Sequence, residues 1–247
     1  MKKKEIIEKC KILLKAYQTG KLGDTTMPED QNPWEKFFNL EEKILYFTLP
    51  MSLNYQRNSY NLRKSALDTY NDEDTRLVFN LKFGATANEE ILREKLMKYK
   101  LALQKNKHIA TWHKISATIY KHRGSIQHLF KYSDYDFLKL KRIMQVDYKK
   151  WFPYISWAKI FNYWASILPR YAWVSFKNSE FIDIAVDTHV LQSSIKLWVI
   201  SEEEKDSLSK EEIHKRWREI LKWSWINPSQ MHSPLWFWSR GKFVFEI

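Results

Sequence analysis

The sequence predicts an all-α protein, and three observations lead to that class. Apolar residues recur every three or four positions through most of the chain, the period of an amphipathic helix. Glycine and proline are scarce, five and seven in 247 residues, so turn chemistry interrupts few segments. Only residues 172–186, AWVSFKNSEFIDIAV, have the pattern of an extended hairpin, turning at Lys177–Ser179.

In chain order, Ile6, Cys10, Leu13, Leu14 and Tyr17 form a first helical stripe. The stretch 19–33, TGKLGDTTMPEDQNP, is rich in turn formers and reads as a linker. Residues 36–50 predict a helix that stops at Pro50, and NSYNLRKSALDTY (58–70) predicts a second. Leu92, Leu96, Tyr99 and Leu103 give the next stripe, then Trp112, Ile115 and Ile119, ending near Gly124. Ser133 with Asp136 reads as a capping box that starts DFLKLKRIMQ. Ser209 with Glu212 reads the same way for EEIHKRWREILKWSW, where Ile213, Trp217, Ile220 and Leu221 share a face. There are no internal repeats and no low-complexity tracts.

Apolar residues make up 44% of the chain, charged residues 28% and aromatics 16%, with twelve Trp, enough for a sizeable core and unlike a disordered chain. No apolar run approaches the roughly 20 residues of a membrane span, so no membrane partner is expected. The start, MKKKEIIEKCKILLKAY, is basic but broken by acids, and reads as a helix of a cytoplasmic protein rather than a signal peptide. A single cysteine, Cys10, excludes an intramolecular disulfide framework and a four-cysteine zinc or iron–sulfur site within the chain. No cofactor is expected, and no metal site is read: His189 has no histidine or carboxylate partner at helical spacing. Forty-one Lys and Arg against 29 Asp and Glu give a net charge of +12, which points to a polyanionic partner. The same excess arises without any partner in a chain from an AT-rich genome.

Two stretches carry candidate chemistry. In DYKKWFPYISWAKIFNYWASIL (147–168), a short basic helix ends before Pro153 and a second helix starts near Trp157. So tight a link makes a helical hairpin and leaves helix amides open at the turn, where they suit a phosphate, flanked by Lys149, Lys150 and Lys159. Downstream, FIDIAVDTHVLQSS (181–194) is an apolar run that stops at Asp187 before a new helical pattern. Aspartate is a preferred helix cap, so Asp187 reads as the cap of that helix. A cap uses one carboxylate oxygen and leaves the other for chemistry.

A helical hairpin followed by an apolar run ending in Asp-Thr-His resembles the helix-hairpin-helix DNA glycosylase superfamily, which includes endonuclease III and the 8-oxoguanine glycosylase/lyases. FPYIS stands for the family's Leu-Pro-Gly-Val-Gly, KIFN for its Lys-Thr-Ala-Asn, and VDTHV for its Val-Asp-Thr-His. ILYFTLPMSLNYQRNSYNLRKSA (44–66) looks like the early helix pair whose loop fills the space left by a flipped base. Asn54 best matches that role, with Gln56 second. HSPLWFWSRG (232–241) looks like the last helix, with Arg240 near its end. The resemblance therefore runs in order from about 44 to 241. Three departures stand out. Both hairpin glycines are missing, with Tyr154 and Ser156 at or beside their places. Alignment on the proline puts the family's lysine at Ala158, and Lys159 fits with one extra residue in the turn. The stretch from Lys159 to Asp187 is long, with an aromatic insertion at 169–183. The iron–sulfur cysteines of endonuclease III are absent.

The resemblance implies the chemistry. Cleaving a base from deoxyribose develops oxocarbenium-like charge at the sugar, which a carboxylate stabilises, a role that falls to Asp187. Lys159, expected to be partly desolvated at a helix N-terminus, would form a Schiff base with the sugar and add AP-lyase activity. The damaged base must be flipped out of the duplex. An oxidised purine such as 8-oxoguanine is the first expectation. Tyr154, Ser156, Trp157, Lys149, Lys150, His189 and Arg240 are the further expected DNA contacts. The fold implied is two helical subdomains flanking a DNA-binding cleft: 1–50 with 188–247, and 51–187 carrying the hairpin. The expected partner is lesion-containing double-stranded DNA, bound by a monomer in the cytoplasm, at the nucleoid in a prokaryote. Two alternatives stay open: a non-catalytic helix-hairpin-helix DNA-binding protein, and a monofunctional glycosylase that uses water.

Overall fold

The structure, a computed structural model, describes residues 3–247. Among the described residues the regular elements are all helical, and the one strand-like pairing is an isolated bridge between Asp136 and Lys177. None of these helices is long and apolar enough to cross a membrane. The α-helices are α1 (Lys3–Gln18), α2 (Leu40–Thr48), α3 (Ser59–Asn71), α4 (Glu73–Arg76), α5 (Leu81–Thr86), α6 (Glu89–Lys98) and α7 (Lys107–Arg123). They continue as α8 (Ile126–Tyr132), α9 (Phe137–Arg142), α10 (Ala158–Ala172), α11 (Thr188–Lys196), α12 (Lys210–Leu221) and α13 (His232–Arg240). Short 3₁₀ turns and one π turn at Ile143–Asp147 join several of them.

The chain forms two compact units, a central one of Met27–Asn178 and a terminal one of the residues up to Thr26 with Ser179–Ile247. These divisions fall at 26 and 178, not at the 50 and 187 read from the sequence. The reason is local. The stretch 19–33 is no mere linker: within it a 3₁₀ turn, Pro28–Asp30, places Glu29 in the central core at 1% exposure. There Glu29 accepts from Arg63 Nε on α3 at 3.2 Å and from the Tyr163 hydroxyl on α10 at 2.7 Å. Arg63 also donates to the Tyr46 carbonyl of α2 and to Met51 Sδ. The neighbouring Asp30 accepts from the Tyr171 hydroxyl at 2.8 Å, again on α10.

The expected extended hairpin at 172–186 does not form. Its first half bonds to the α9 entrance instead, through Phe137 N–H to the Lys177 carbonyl and Lys177 N–H to the Tyr135 carbonyl. Asn178 Nδ2 adds a bond to Asp136. The second half begins with a 3₁₀ turn at Ser179–Phe181 and belongs to the terminal unit. The predicted capping box at Ser133 is also corrected. Asp136 alone caps α9, accepting from the Leu138 and Lys139 amides, while the buried Ser133 hydroxyl bonds back to the Phe130 carbonyl of α8.

In the central unit α5 packs closely on α7, and Gly84 makes that approach possible: a Cβ there would lie 2.7 Å from Ser116 Oγ. Trp112, Ile115 and Ile119 are buried as their spacing predicts, and Gly124 ends α7 at φ 74°. Leu92 and Leu96 of the next predicted stripe are buried, but Leu103 lies beyond α6 and is exposed. In the terminal unit α13 packs against α11 and α1. The Ser193 hydroxyl donates to the Leu235 carbonyl, and Trp217 Nε1 of α12 donates to Ser194 Oγ. The Ser209–Glu212 capping box forms, and α12 stops at Leu221, short of Trp223 and Trp225, which are left exposed. Cys10 is fully buried, and burial pushes its thiol up to about 12, so it is chemically inert at neutral pH.

Two outcomes follow from this core. Glu29→Ala leaves Arg63 buried without a counter-charge and should lower stability by about 3–5 kcal/mol in urea unfolding of the full chain. A loss below about 1 kcal/mol would mean that the pair carries no more than an exposed one. His108 is buried, its Nδ1 accepts the Leu103 amide, and burial holds its pKa below the usual value of 6.5. The unfolded chain therefore takes up a proton that the folded chain refuses. Stability should fall as pH drops below about 6.5, and His108→Gln should flatten that slope.

Candidate functional site

In the central unit the short basic helix expected before Pro153 is a 3₁₀ turn, and the helix expected from about Trp157 is α10. The α9 helix runs into the π turn and then a 3₁₀ turn at Lys149–Trp151, and α10 begins at Ala158 after the tight link. Tyr154 sits in the left-handed region at φ 61°, the conformation glycine adopts without strain. Three amides of the link bond within it: Ile155 N–H to the Pro153 carbonyl, Ser156 N–H to Phe152 and Trp157 N–H to Tyr154. These three are therefore taken. The first amides of α10 stay open to an anion, since its cap residue Trp157 makes no side-chain hydrogen bond. Asn162, the last residue of KIFN, is buried and donates to the Ala158 carbonyl, bracing that first turn.

Rings hold the left-handed turn in place. Tyr154, Trp157 and Tyr55 pack together, with centroids 4.9 Å apart for Tyr154–Trp157, 5.8 Å for Tyr55–Tyr154 and 5.2 Å for Tyr55–Trp157. Tyr55 lies between Asn54 and Gln56, so the early loop and the hairpin meet in one surface cluster. The exposed Lys107, at the start of α7, places Nζ 5.1 Å from the Tyr154 centroid and 5.9 Å from that of Tyr55. Partly exposed rings beside a cation suit a nucleobase or a sugar–phosphate edge. Asn54 is tied back, its amide bonding Ser59 Oγ at 3.2 Å, while Gln56 is exposed at φ 50°. Arg57 anchors the loop by donating to the Lys100 and Leu101 carbonyls.

The predicted contacts divide. Lys149, Lys150 and Trp157 are exposed and Tyr154 half-buried. Ser156 is buried, which corrects its reading as a DNA contact: its side chain is not presented to a ligand. Lys159 stands exposed on the first turn of α10, so the expected partial desolvation is absent. Lys43 has that character instead. It is buried on α2 with Nζ 3.2 Å from the Trp173 ring centroid, and burial lowers its pKa. Tyr55, Lys107 and Lys43 were not singled out in the sequence, because only the folded chain brings them to the rings they touch.

In the terminal unit Asp187 is half-buried and caps α11, Oδ1 accepting the Val190 amide at 2.9 Å. Oδ2 is not used by the cap. Two residues on, His189 Nδ1 lies 3.0 Å from Ser239 Oγ, and its ring is T-shaped to that of Trp236, centroids 5.3 Å apart. Arg240 lies over the other partner in that stack, 5.0 Å from the Trp236 centroid. His189 and Arg240 thus both meet Trp236, where α11 packs on α13. Asp187 and Lys159 belong to different compact units.

The chain matches no protein-family model, no curated protein and no solved structure among those compared.

The left-handed turn can be tested without reference to function. Tyr154→Gly and Tyr154→Ala both remove the ring, but only alanine keeps a Cβ at positive φ. The glycine variant should be the more stable by about 1–2 kcal/mol in denaturant unfolding. Equal stabilities would show that the turn relaxes once the ring is gone.

Proposed function

We propose that the chain is a DNA glycosylase of the helix-hairpin-helix type that excises a damaged base, in the first instance an oxidised purine such as 8-oxoguanine. The observation that carries this reading is the divided carboxylate of Asp187: one oxygen holds the N-terminus of α11, and the other takes no part in that cap. As the glycosidic bond breaks, the electron pair leaves with the base and positive charge builds at the sugar, where that oxygen stabilises it. Water then adds at the sugar carbon and loses a proton, leaving an abasic site. In support stand the net charge of +12 and the ring–lysine cluster joining the early loop to the hairpin.

Exposure of Lys159 favours the monofunctional form of this reading. A nucleophilic lysine is activated by desolvation, and the exposed Lys159 lacks it. In the bifunctional form its nitrogen attacks the sugar carbon and gives up its proton, the base departs with the bonding pair, the ring opens to a Schiff base, and loss of a C2′ proton expels the 3′ phosphate.

Duplexes carrying single lesions, incubated with the purified chain, decide the matter. Excision should appear as alkali-labile sites and fall about 10²-fold or more in Asp187→Asn. Direct strand scission and borohydride trapping, both lost in Lys159→Ala, would establish the lyase step. Trapping that survives Lys159→Ala but not Lys43→Met would assign the nucleophile to Lys43. DNA binding that weakens with salt but brings no excision across the panel would identify a non-catalytic binder. No salt-dependent DNA binding would remove the DNA reading altogether.

A further inference from the structure

The terminal unit holds a second group of chemically competent side chains, apart from Asp187. Asp183 lies in the extended stretch that follows the Ser179–Phe181 turn, and Glu211 and His214 lie one turn apart on α12. One ligand atom from each falls within 4.8 Å of the others. Two of the three residues are buried: Asp183 is 2% exposed and His214 4%. A buried imidazole ordinarily finds a partner for its nitrogens. Here neither ring nitrogen of His214 makes a hydrogen bond. Its Nδ1 is nevertheless aimed into the group, 3.7 Å from Asp183 Oδ2 and 3.6 Å from Glu211 Oε2. Those separations exceed a hydrogen bond. They lie within a few tenths of an ångström of the roughly 3.4 Å between two ligand atoms on one tetrahedral zinc, given metal–ligand distances of about 2.0–2.2 Å.

Arg218, two turns along α12 from Glu211, completes the arrangement. Its guanidinium bonds Asp183 Oδ1 and, at 2.9 Å, Glu211 Oε1. One oxygen of each carboxylate is thus committed to arginine, and the other oxygen of each is turned toward the imidazole. Arginine in this position holds both carboxylates ionised and oriented, as an outer partner of a metal ligand does. One nitrogen and two carboxylate oxygens suit a borderline transition ion and not magnesium or calcium, which take oxygen ligands.

We propose that Asp183 Oδ2, Glu211 Oε2 and His214 Nδ1 bind one zinc ion, with water completing its coordination. The ion would fasten α12 to the extended stretch that leads, four residues later, to Asp187. The proposal stands apart from the glycosylase reading, since it concerns binding and stability rather than base excision.

The test uses the full chain, stripped with a chelator and titrated with zinc by calorimetry, alongside thermal unfolding. The expected result is one zinc per chain and a rise in Tm, with no such rise on adding magnesium at the same concentration. Glu211 is exposed, so Glu211→Gln should fold normally; it should bind zinc at least tenfold more weakly. His214→Gln should abolish the site, with circular dichroism reporting whether the helices survive. No stoichiometric zinc binding would overturn the proposal. So would zinc binding that is unchanged in Glu211→Gln, whatever His214→Gln does, or magnesium binding as tightly as zinc.

Discussion

The central unit depends on a charge that has nowhere else to go. Arg63 is almost wholly buried, and a buried guanidinium must be met by a counter-ion and by acceptors for its remaining protons. Glu29 is the counter-ion, and the Tyr46 carbonyl and Met51 take further donors. The other Glu29 oxygen receives the Tyr163 hydroxyl. Removing the acid would strand the base, so α2, α3, α10 and the Pro28–Asp30 turn are fixed as a set. Burial raises Tyr163 far above the usual phenol range, so this hydroxyl stays a donor across the accessible pH range. The ring cluster at the surface of the unit inherits this rigidity. The early loop enters α3 and the hairpin enters α10, the two helices whose side chains meet at Glu29.

That arrangement explains how much could be read from the chain alone. Helices whose apolar faces point into a core declare themselves by period, as Trp112, Ile115 and Ile119 do. Caps with a local partner are equally visible, as at Ser209–Glu212 and at Asp187. Glu29 was not, because an acid in a turn-rich stretch looks solvated until Arg63, 34 positions away, is brought to it. The 172–186 hairpin failed for a related reason. Alternation says that a segment is extended but not what it pairs with, and Tyr135 and Phe137 took the bonds of Lys177.

The candidate sites show the same division. Asp187 was identifiable as a cap and remains one. Lys159 was identifiable as a first-turn lysine, but its exposure was not, since burial is a property of the surroundings rather than of the motif. Tyr55 had no signal of its own beyond standing between Asn54 and Gln56; its meaning comes from Tyr154 and Trp157. The pairing of Asp183 with His214 likewise spans an extended stretch and a helix that no common period links.

The left-handed Tyr154 has a consequence for how this turn can change. A glycine at such a position separates two properties: the backbone bend is free, and the surface is bare, so each varies independently. With tyrosine, the bend persists because its ring is held against Tyr55 and Trp157, and those rings are also the exposed surface. The bend and the character of the surface have become one variable. A substitution that alters what the cluster touches also alters the direction in which α10 sets out. The surface is therefore expected to drift slowly, and in coordinated steps involving Tyr55, Tyr154 and Trp157 together rather than one ring at a time.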